Sequence, residues 1–291
     1  MNFKIQSNFK VNNNNDSKKK ENNNLNSRNN FNQNNSKNEN IEIKNKYEKI
    51  FGKNSYEKLI DARKKYSNNI FISNNYSKTN KTEIENFFKK NRIKYSETFL
   101  PNAYKIEKSF FNISSSLYSL TGKIYLQDLA SQIPINTIDI NKLKLINQNE
   151  KRIVKILDMA ASPGSKTTQM WDLLNSNKIL FEIIALEPEK KRVQKLINNI
   201  QKQNCTNIKI FNVTGQEFST TEKFDLILLD APCSGNLIDD KTWLEKRTQK
   251  GILEKTQIQK QLLKKASTLL TKNGELIYST CSLEIEENVE N

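Results

Sequence analysis

Histidine is absent from this sequence of 291 residues. Catalytic triads that use histidine, histidine general bases and zinc sites of the HExxH type are therefore excluded. Any chemistry of the chain must depend on cysteine, aspartate, glutamate, lysine and tyrosine side chains.

Cysteines and long apolar segments are also scarce. The three cysteines are unevenly spaced and form no CxxC pair, so we expect neither a disulfide framework nor a bound metal. No apolar segment approaches the length of about 20 residues that a membrane-spanning helix needs. We therefore expect a soluble protein with no membrane partner.

Asparagine and lysine dominate the N-terminal region, for example in NNNNDSKKKENNNLNSRNNFNQNNSKNEN. Such a segment buries too little apolar surface to offset the entropy that ordering costs. We predict a disordered Asn/Lys-rich tail over residues 1–46, which either is plain low complexity or has a targeting or RNA-tethering role.

The formal net charge is +15, and residues 1–40 contribute only 7 basic and 3 acidic residues to it. Most of the excess therefore belongs to the part that we expect to fold. A basic excess of this size favours a polyanionic partner such as RNA, although a compositional bias toward lysine would produce the same charge.

Two patterns of secondary structure follow the tail. Residues 47–118 contain the helical segments SYEKLIDARKKY and KTEIENFFKKN and the apolar strands NIFIS and IKYSETF, which predict a small α/β module. Residues 119–291 contain the strands IVKIL, EIIAL, IKIF, FDLILLD and GELIYS, most of them separated by helices. This alternation predicts a doubly wound parallel sheet, whose ligands bind at the carboxyl ends of its strands.

The first of these strands runs into the small-residue turn DMAASPGSKTT, which opens a helix. Such a turn lets backbone N–H groups approach a ligand closely, and Gly164 is free of side-chain bulk. A phosphate-binding P-loop is the competing interpretation, but it would require glycines at Ala160 and Ser165. The interpretation as an ordinary strand-to-helix turn also remains open.

Acidic and thiol side chains follow the later strands. Glu187 ends the second strand and is suited to accept hydrogen bonds from a ribose, or to cap the next helix. Asp230 and Cys233 follow the fourth strand in DAPCSGN, and Cys281 follows the fifth in YSTCS, so we expect them at one edge of the sheet. Small buried core cysteines are the alternative, which we prefer for Cys205.

The order and spacing of several motifs from about Gly122 onward resemble the NOP/Sun family of RNA cytosine-5 methyltransferases. The motifs are GKIYLQDLASQIP, DMAASPGSKTTQM, LEPEKKR, FDLILLDAPCSGN and YSTCSLEIEENVEN. The resemblance implies a Rossmann-like methyltransferase domain that depends on S-adenosylmethionine, over residues 119–291. Residues 47–118 would then be a small RNA-binding α/β module. It also implies methylation of C5 of a cytosine in tRNA or rRNA, and we expect a monomer.

The same resemblance assigns roles to individual residues. Cys281 matches the nucleophile that adds to C6 of cytosine, Cys233 matches the cysteine that helps to eliminate the C5 proton, and Asp230 matches the carboxylate that binds the base near N3 and N4. Glu187 would bind the ribose of the cofactor, and Asp230 and Thr214 would also lie at the cofactor. The remaining cofactor-binding residues are Ala160, Ala161, Ser162, Pro163, Gly164, Ser165 and Lys166.

The chain departs from the family pattern at several positions. Ala160 and Ser165 replace a cysteine and a glycine of the family loop CAAPGGKT, and Ser162 replaces one of its alanines. Thr214 stands in place of an aspartate, and Ser73 in place of an arginine. We expect the sheet either to be truncated at its C-terminal end or to be finished differently. A catalytically weak RNA-binding or assembly factor and a nucleotide hydrolase are the alternative functions.

Overall fold

The computed structural model describes residues 42–66, 70–74, 79–236, 243 and 247–291. The expected tail lies outside the described residues up to position 41, and Ser73 lies in a strand that is described by its backbone alone. Residues 42–46, which the sequence assigns to the tail, form the start of the first helix. Within the described ranges, no helix is both long enough and apolar enough to cross a membrane.

Four antiparallel strands form the first sheet, in the spatial order β2-β3-β1-β4. The strands are Ile70–Asn74 (β1), Lys94–Glu97 (β2), Ala103–Lys108 (β3) and Ile124–Leu126 (β4). An apolar cluster that includes Ile84, Phe88 and Tyr104 packs on this sheet. The cluster explains why the short segment KTEIENFFKK is helical, since its apolar residues recur at helical spacing.

Five parallel strands form the second sheet, in the order β7-β6-β5-β8-β9. The strands are Val154–Asp158 (β5), Phe181–Leu186 (β6), Ile208–Phe211 (β7), Phe224–Asp230 (β8) and Leu270–Ser279 (β9). The strand order reverses between β5 and β8, which is the position where doubly wound folds bind their ligands.

The helices are residues 42–51 (α1), Ser55–Tyr66 (α2), Lys81–Lys90 (α3), Leu117–Leu120 (α4), Leu129–Asn136 (α5), Ile140–Asn149 (α6), Ser165–Ser176 (α7), Lys190–Lys202 (α8) and Gln249–Leu269 (α9), with a 3-10 turn at Ile113–Ser115. In α8 the buried residues recur every three or four positions, so that one face packs against the sheet while the other remains charged.

Side chains of the parallel strands alternate between two apolar cores, because successive residues of a strand point to opposite faces. On β8, Leu226 and Leu228 lie in a core that α5 to α8 cover. Ile227 and Leu229 lie in a second core with side chains of α9. Both faces of the sheet are therefore covered, which confirms the Rossmann-like α/β fold.

The chain divides into two compact units. The first consists of Asn69–Pro232 and Ile258–Thr280 in its described part, and contains both sheets. The second consists of Cys233–Gln257, Cys281–Asn291 and the described part of Ser7–Asn68. The domain limits 46/47 and 118/119 stay a prediction from the sequence.

Candidate active site

The loop between β5 and α7 requires a glycine at one position. Gly164 has φ +102°, and a Cβ at this position would lie 2.9 Å from Leu196 Cδ1 of α8, so a larger residue would strain the backbone and require the Leu196 side chain to shift. Ser165 is the first residue of α7, and its φ is not positive. The serine in place of the family glycine is therefore compatible with the helix start.

Helix α8 anchors this loop through three hydrogen bonds. Ser162 Oγ donates to the backbone oxygen of Arg192 at 3.0 Å, and Arg192 Nη2 donates to the backbone oxygen of Ser162 at 2.9 Å. Asn199 Nδ2 donates to the backbone oxygen of Pro163 at 2.7 Å. The serine that replaces an alanine of the family thus helps to hold the loop in place.

Beneath the loop, Asp158 is a buried carboxylate that the sequence reasoning did not single out. Thr167 Oγ1 donates to its Oδ2 at 2.7 Å, and the Ala160 N–H donates to its Oδ1 at 3.3 Å. Burial raises the pKa of Asp158 to about 7, although both hydrogen bonds act in the opposite direction. The position of Asp158 at the end of an apolar strand could have identified it from the sequence.

Glu187 lies directly after β6 and is only 1% exposed. Its Oε1 accepts the N–H of Glu189 at 2.9 Å, and its Oε2 lies 3.5 Å from Arg192 Nη1. The N-cap of α8 is Glu189, and Glu187 lies two residues before it, so Glu187 is neither the cap nor a first-turn carboxylate of this helix. Its role at a ribose stays a prediction.

Thr214 lies in the turn that follows β7. Its Oγ1 donates to Glu217 Oε2 at 2.8 Å and accepts the Glu217 N–H at 3.2 Å. This reciprocal pair between one hydroxyl and one glutamate stabilises the turn. The expected contact of Thr214 with a cofactor stays a prediction.

Asp230, at the carboxyl end of β8, is held from two directions. Lys166 Nζ of α7 donates to Asp230 Oδ2 at 2.6 Å, and Ser279 Oγ of β9 donates to Asp230 Oδ1 at 2.7 Å. The two predicted site residues Lys166 and Asp230 therefore meet at the edge of the sheet. Ser279, the partner of Asp230 in the strand register, was missed by the sequence reasoning.

In the second unit, the Sγ atoms of Cys233 and Cys281 lie 2.9 Å apart, and neither residue forms a disulfide bond. The hydrogen bond with the Cys281 sulfur lowers the pKa of the Cys233 thiol to about 7. Burial of Cys233 acts in the opposite direction, and a backbone hydrogen bond at Gly235 lowers the pKa further. Cys233 is half-buried and Cys281 is exposed, so neither is a core cysteine. Cys205 is buried in the apolar core, as expected.

A serine follows each of the two cysteines, and the carboxylate of Glu287 accepts hydrogen bonds from both serines. Glu287 Oε2 accepts the N–H of Ser234 at 3.0 Å, and its Oε1 accepts the Ser282 hydroxyl at 2.9 Å. The sequence reasoning quoted Glu287 within the last motif but gave it no role. Among the described residues, no group of His, Cys, Asp or Glu side chains could hold a metal ion.

Comparison with known proteins gives one matching family model. Residues 142–291 match the model described as 16S rRNA methyltransferase RsmB/F. The ribosomal RNA small subunit methyltransferase F of Vibrio parahaemolyticus is 33% identical over 220 residues, which cover 72% of this chain and 44% of that protein. The protein of the same name from Aeromonas salmonicida is 36% identical over 173 residues, which cover 58% of this chain and 34% of that protein. The chain thus spans less than half the length of these curated relatives.

Solved structures with the same fold come from Pyrococcus horikoshii. A methyltransferase homolog protein has a TM-score of 0.64 and 27% identity, with 76% of this chain and 67% of that chain covered. The structure of NSun6 with SFG has a TM-score of 0.69 and 22% identity, with 85% and 84% covered. At 22% identity, the likeness to the NSun6 structure concerns the fold alone.

Proposed function

Since the chain belongs to the 16S rRNA methyltransferase RsmB/F family, we propose that it transfers a methyl group from S-adenosylmethionine to C5 of a cytosine in RNA. The transfer proceeds through a covalent adduct between a cysteine and C6 of the base. The observation that carries the proposal is the distance of 2.9 Å between the Sγ atoms of Cys233 and Cys281.

Two neighbouring thiols suit this reaction because it needs both a nucleophile and a base. C5 of cytosine is too weakly nucleophilic to take up a methyl group until a thiolate has added to C6. In our proposal the Cys281 thiolate forms the S–C6 bond, which makes C5 enamine-like. Cys281 is the more exposed of the two thiols, which favours it for contact with the base.

Cys233 then acts as the base. After C5 has been methylated, the Cys233 thiolate takes the proton from C5, the C5–C6 double bond reforms, and the S–C6 bond breaks to release Cys281. A general base works best when its pKa lies near the working pH. Before the adduct forms, the hydrogen bond with the Cys281 sulfur lowers the pKa of Cys233 to about 7, which favours a Cys233 thiolate at neutral pH. No histidine is needed for either step.

Asp230 binds the base through N3 and N4, where charge develops during the addition. Lys166 and Ser279 each donate a hydrogen bond to one of its oxygens. A carboxylate has about four acceptor positions, so these two bonds leave room for the base. Asp230 precedes Cys233 by three positions in the sequence.

The described residues fit S-adenosylmethionine, which supplies an electrophilic methyl group when bound. Glu187 provides a carboxylate at the end of β6 for a ribose diol, and the N-terminus of α7 with Lys166 favours a carboxylate. The loop of residues 160–166 and the turn at Thr214 border the same carboxyl ends of the strands. These residues bind and orient the cofactor.

Small-subunit ribosomal RNA is the substrate class that we propose, because the relatives that match the chain are named small subunit methyltransferases. The net charge of +15 supports a nucleic-acid substrate. Since the base must leave its stack to be attacked at C6, we expect a single-stranded or flexible site in the RNA.

Bisulfite sequencing tests the proposal. A small-subunit rRNA transcript is incubated with the protein and S-adenosylmethionine, and we expect one cytosine to become protected from conversion with the wild type and none with Cys281→Ala. A catalytically weak assembly factor would instead bind RNA without protecting any cytosine. A wild-type protein that binds S-adenosylmethionine and RNA but leaves every cytosine convertible contradicts the proposed activity.

A further inference from the structure

A buried polar network underlies the two segments that carry the cysteines, and all of its members belong to the second unit. Its centre is Glu287, whose side chain is fully buried. The two residues that it contacts, Ser234 and Ser282, each follow a cysteine directly in the sequence. One carboxylate thus holds the two residues next to the reactive thiols.

The contacts of Glu287 leave little freedom between the segments. Oε1 accepts hydroxyl hydrogen bonds from both serines, and Oε2 accepts the backbone N–H of Ser234. The two serine hydroxyls also lie 3.1 Å apart. A backbone hydrogen bond and two side-chain hydrogen bonds therefore meet at one buried carboxylate, and their donors lie one residue away from each thiol.

Arg247 also links the two segments that carry the cysteines. Its Nη1 donates to the backbone oxygen of Ser234 at 3.0 Å, and its Nη2 lies 3.4 Å from Ser282 Oγ. The guanidinium also pairs with Glu284 Oε1 through Nε at 3.0 Å and Nη2 at 2.6 Å. Both Arg247 and Glu284 are buried, so this ion pair is costly to break from one side only.

Helix α1 contributes a lysine and a tyrosine to the network. Lys46 Nζ lies 2.5 Å from Glu284 Oε2 and 2.7 Å from Glu286 Oε1, and Tyr47 donates its hydroxyl to Glu284 Oε1 at 2.7 Å. Lys46 and Arg247 thus pair with the two carboxylates of Glu284 and Glu286. The Tyr47 ring also stacks on Trp243, with 6.1 Å between ring centroids.

We infer that Glu287 is a positioning residue that fixes the separation of the Cys233 and Cys281 thiols. Its effect on turnover rests on the proposed function, whereas its effect on the thiols does not. The carboxylate acts on the reaction through Ser234 and Ser282, and it holds the cysteine that forms the S–C6 bond within reach of the cysteine that removes the C5 proton.

A dithiol probe measures the separation without RNA or cofactor. Phenylarsine oxide forms two As–S bonds, with loss of water, where two thiols lie close together. We expect tight binding to the wild type through Cys233 and Cys281, and binding weaker by about ten-fold or more with Glu287→Ala, because the serines lose their charged acceptor. The matched control is Glu290→Gln, which changes an exposed carboxylate three positions away and should bind like the wild type.

Glu287→Gln keeps the side-chain shape and separates positioning from charge. Its carbonyl oxygen can accept the Ser234 N–H while its amide donates to the serine hydroxyls, so we expect arsenical affinity within about three-fold of the wild type. The negative charge of Glu287 raises the pKa of Cys233. The pH midpoint of Cys233 alkylation by iodoacetamide should therefore move to lower pH in Glu287→Gln. The other groups near this thiol are the Cys281 sulfur and the backbone N–H groups of Gly235 and Cys281.

The outcomes are distinct. Wild-type arsenical affinity in a folded Glu287→Ala variant overturns the inference. If Glu287→Ala does not fold, Glu287→Asp decides, because it keeps the charge but shortens the side chain by one methylene; its arsenical affinity should fall, and wild-type affinity overturns the inference. A wild-type protein that binds the arsenical yet methylates no RNA contradicts the proposed function and leaves the positioning role intact.

Discussion

Lys166 Nζ lies 2.6 Å from Asp230 Oδ2, so that the start of α7 is joined to the end of β8. Lys166 is largely buried, whereas Asp230 is partly exposed. The ion pair therefore holds the carboxylate in place while leaving part of it accessible. Lys166 and Asp230 lie on different segments of the sequence, and the parallel sheet brings them together.

Asp230→Asn should lower turnover by about 10²-fold or more, because an amide stabilises the charge that develops on the base less well than a carboxylate. Methyl incorporation from labelled S-adenosylmethionine at saturating RNA measures this change. The matched control is Asp128→Asn, since Asp128 caps α5 and asparagine is an equally good cap. Equal turnover in the two variants would remove Asp230 from the reaction.

Glu187→Ala should weaken S-adenosylmethionine binding about ten-fold or more, because charge-assisted hydrogen bonds to the ribose are lost. Calorimetric titration of the folded variant measures the affinity. Glu189→Ala is the control, since this nearby carboxylate makes no capping hydrogen bond with its side chain. Should both variants bind like the wild type, the ribose contact lies elsewhere.

Alanine substitution of the two reactive cysteines should block different steps of the reaction. Cys233→Ala leaves addition and methyl transfer possible but hinders elimination, so a protein–RNA species should accumulate on a denaturing gel. Cys281→Ala cannot add to C6 and should form no such species. The buried Cys205 serves as the control, because Cys205→Ala should keep turnover and accumulate no adduct. An adduct with the reverse pair would make Cys233 the nucleophile.

Asp158 should make the stability of the fold depend on pH. Its pKa is raised from 3.8 to about 7 by burial, so the folded chain binds more protons than the unfolded chain between these values. The free energy of unfolding should therefore fall as the pH rises through this window. Melting temperatures between pH 5 and pH 8 should decrease for the wild type and stay flatter for Asp158→Asn, and parallel curves would contradict this assignment.

Truncation distinguishes the expected tail from helix α1. Deleting residues 1–41 should leave methylation of saturating RNA unchanged, since a tail contributes no catalytic geometry. Deleting residues 1–51 also removes Lys46 and Tyr47, which pair with the buried Glu284, and should lower turnover and arsenical binding together. Equal turnover of the two truncated proteins would exclude α1 from the catalytic apparatus.

Sequence reasoning predicted the parallel sheet because each of its strands is an apolar run followed by a polar loop residue. It also predicted the helices of the first module, including Lys81–Lys90, from their spacing. It did not resolve β3, β4, α5 or α6, whose short or mixed patterns acquire their structure from packing. It assigned residues 42–46 to a tail because their one apolar side chain, Ile43, gives no periodic pattern, and this side chain is buried only by packing with residues of α2 and with Trp243.

The sequence by itself determined the residue types at the ends of the strands: a glycine loop after β5, a carboxylate after β6, and a cysteine after each of β8 and β9. Local pattern suffices there, because strand period and loop composition are properties of neighbouring residues. Only the tertiary structure decided which of these groups meet. The partnership of Asp230 with Lys166 and Ser279, and that of Glu287 with Ser234, join residues far apart in the chain. Such contacts depend on strand order and on the satisfaction of buried polar groups, and neither is encoded in any short segment.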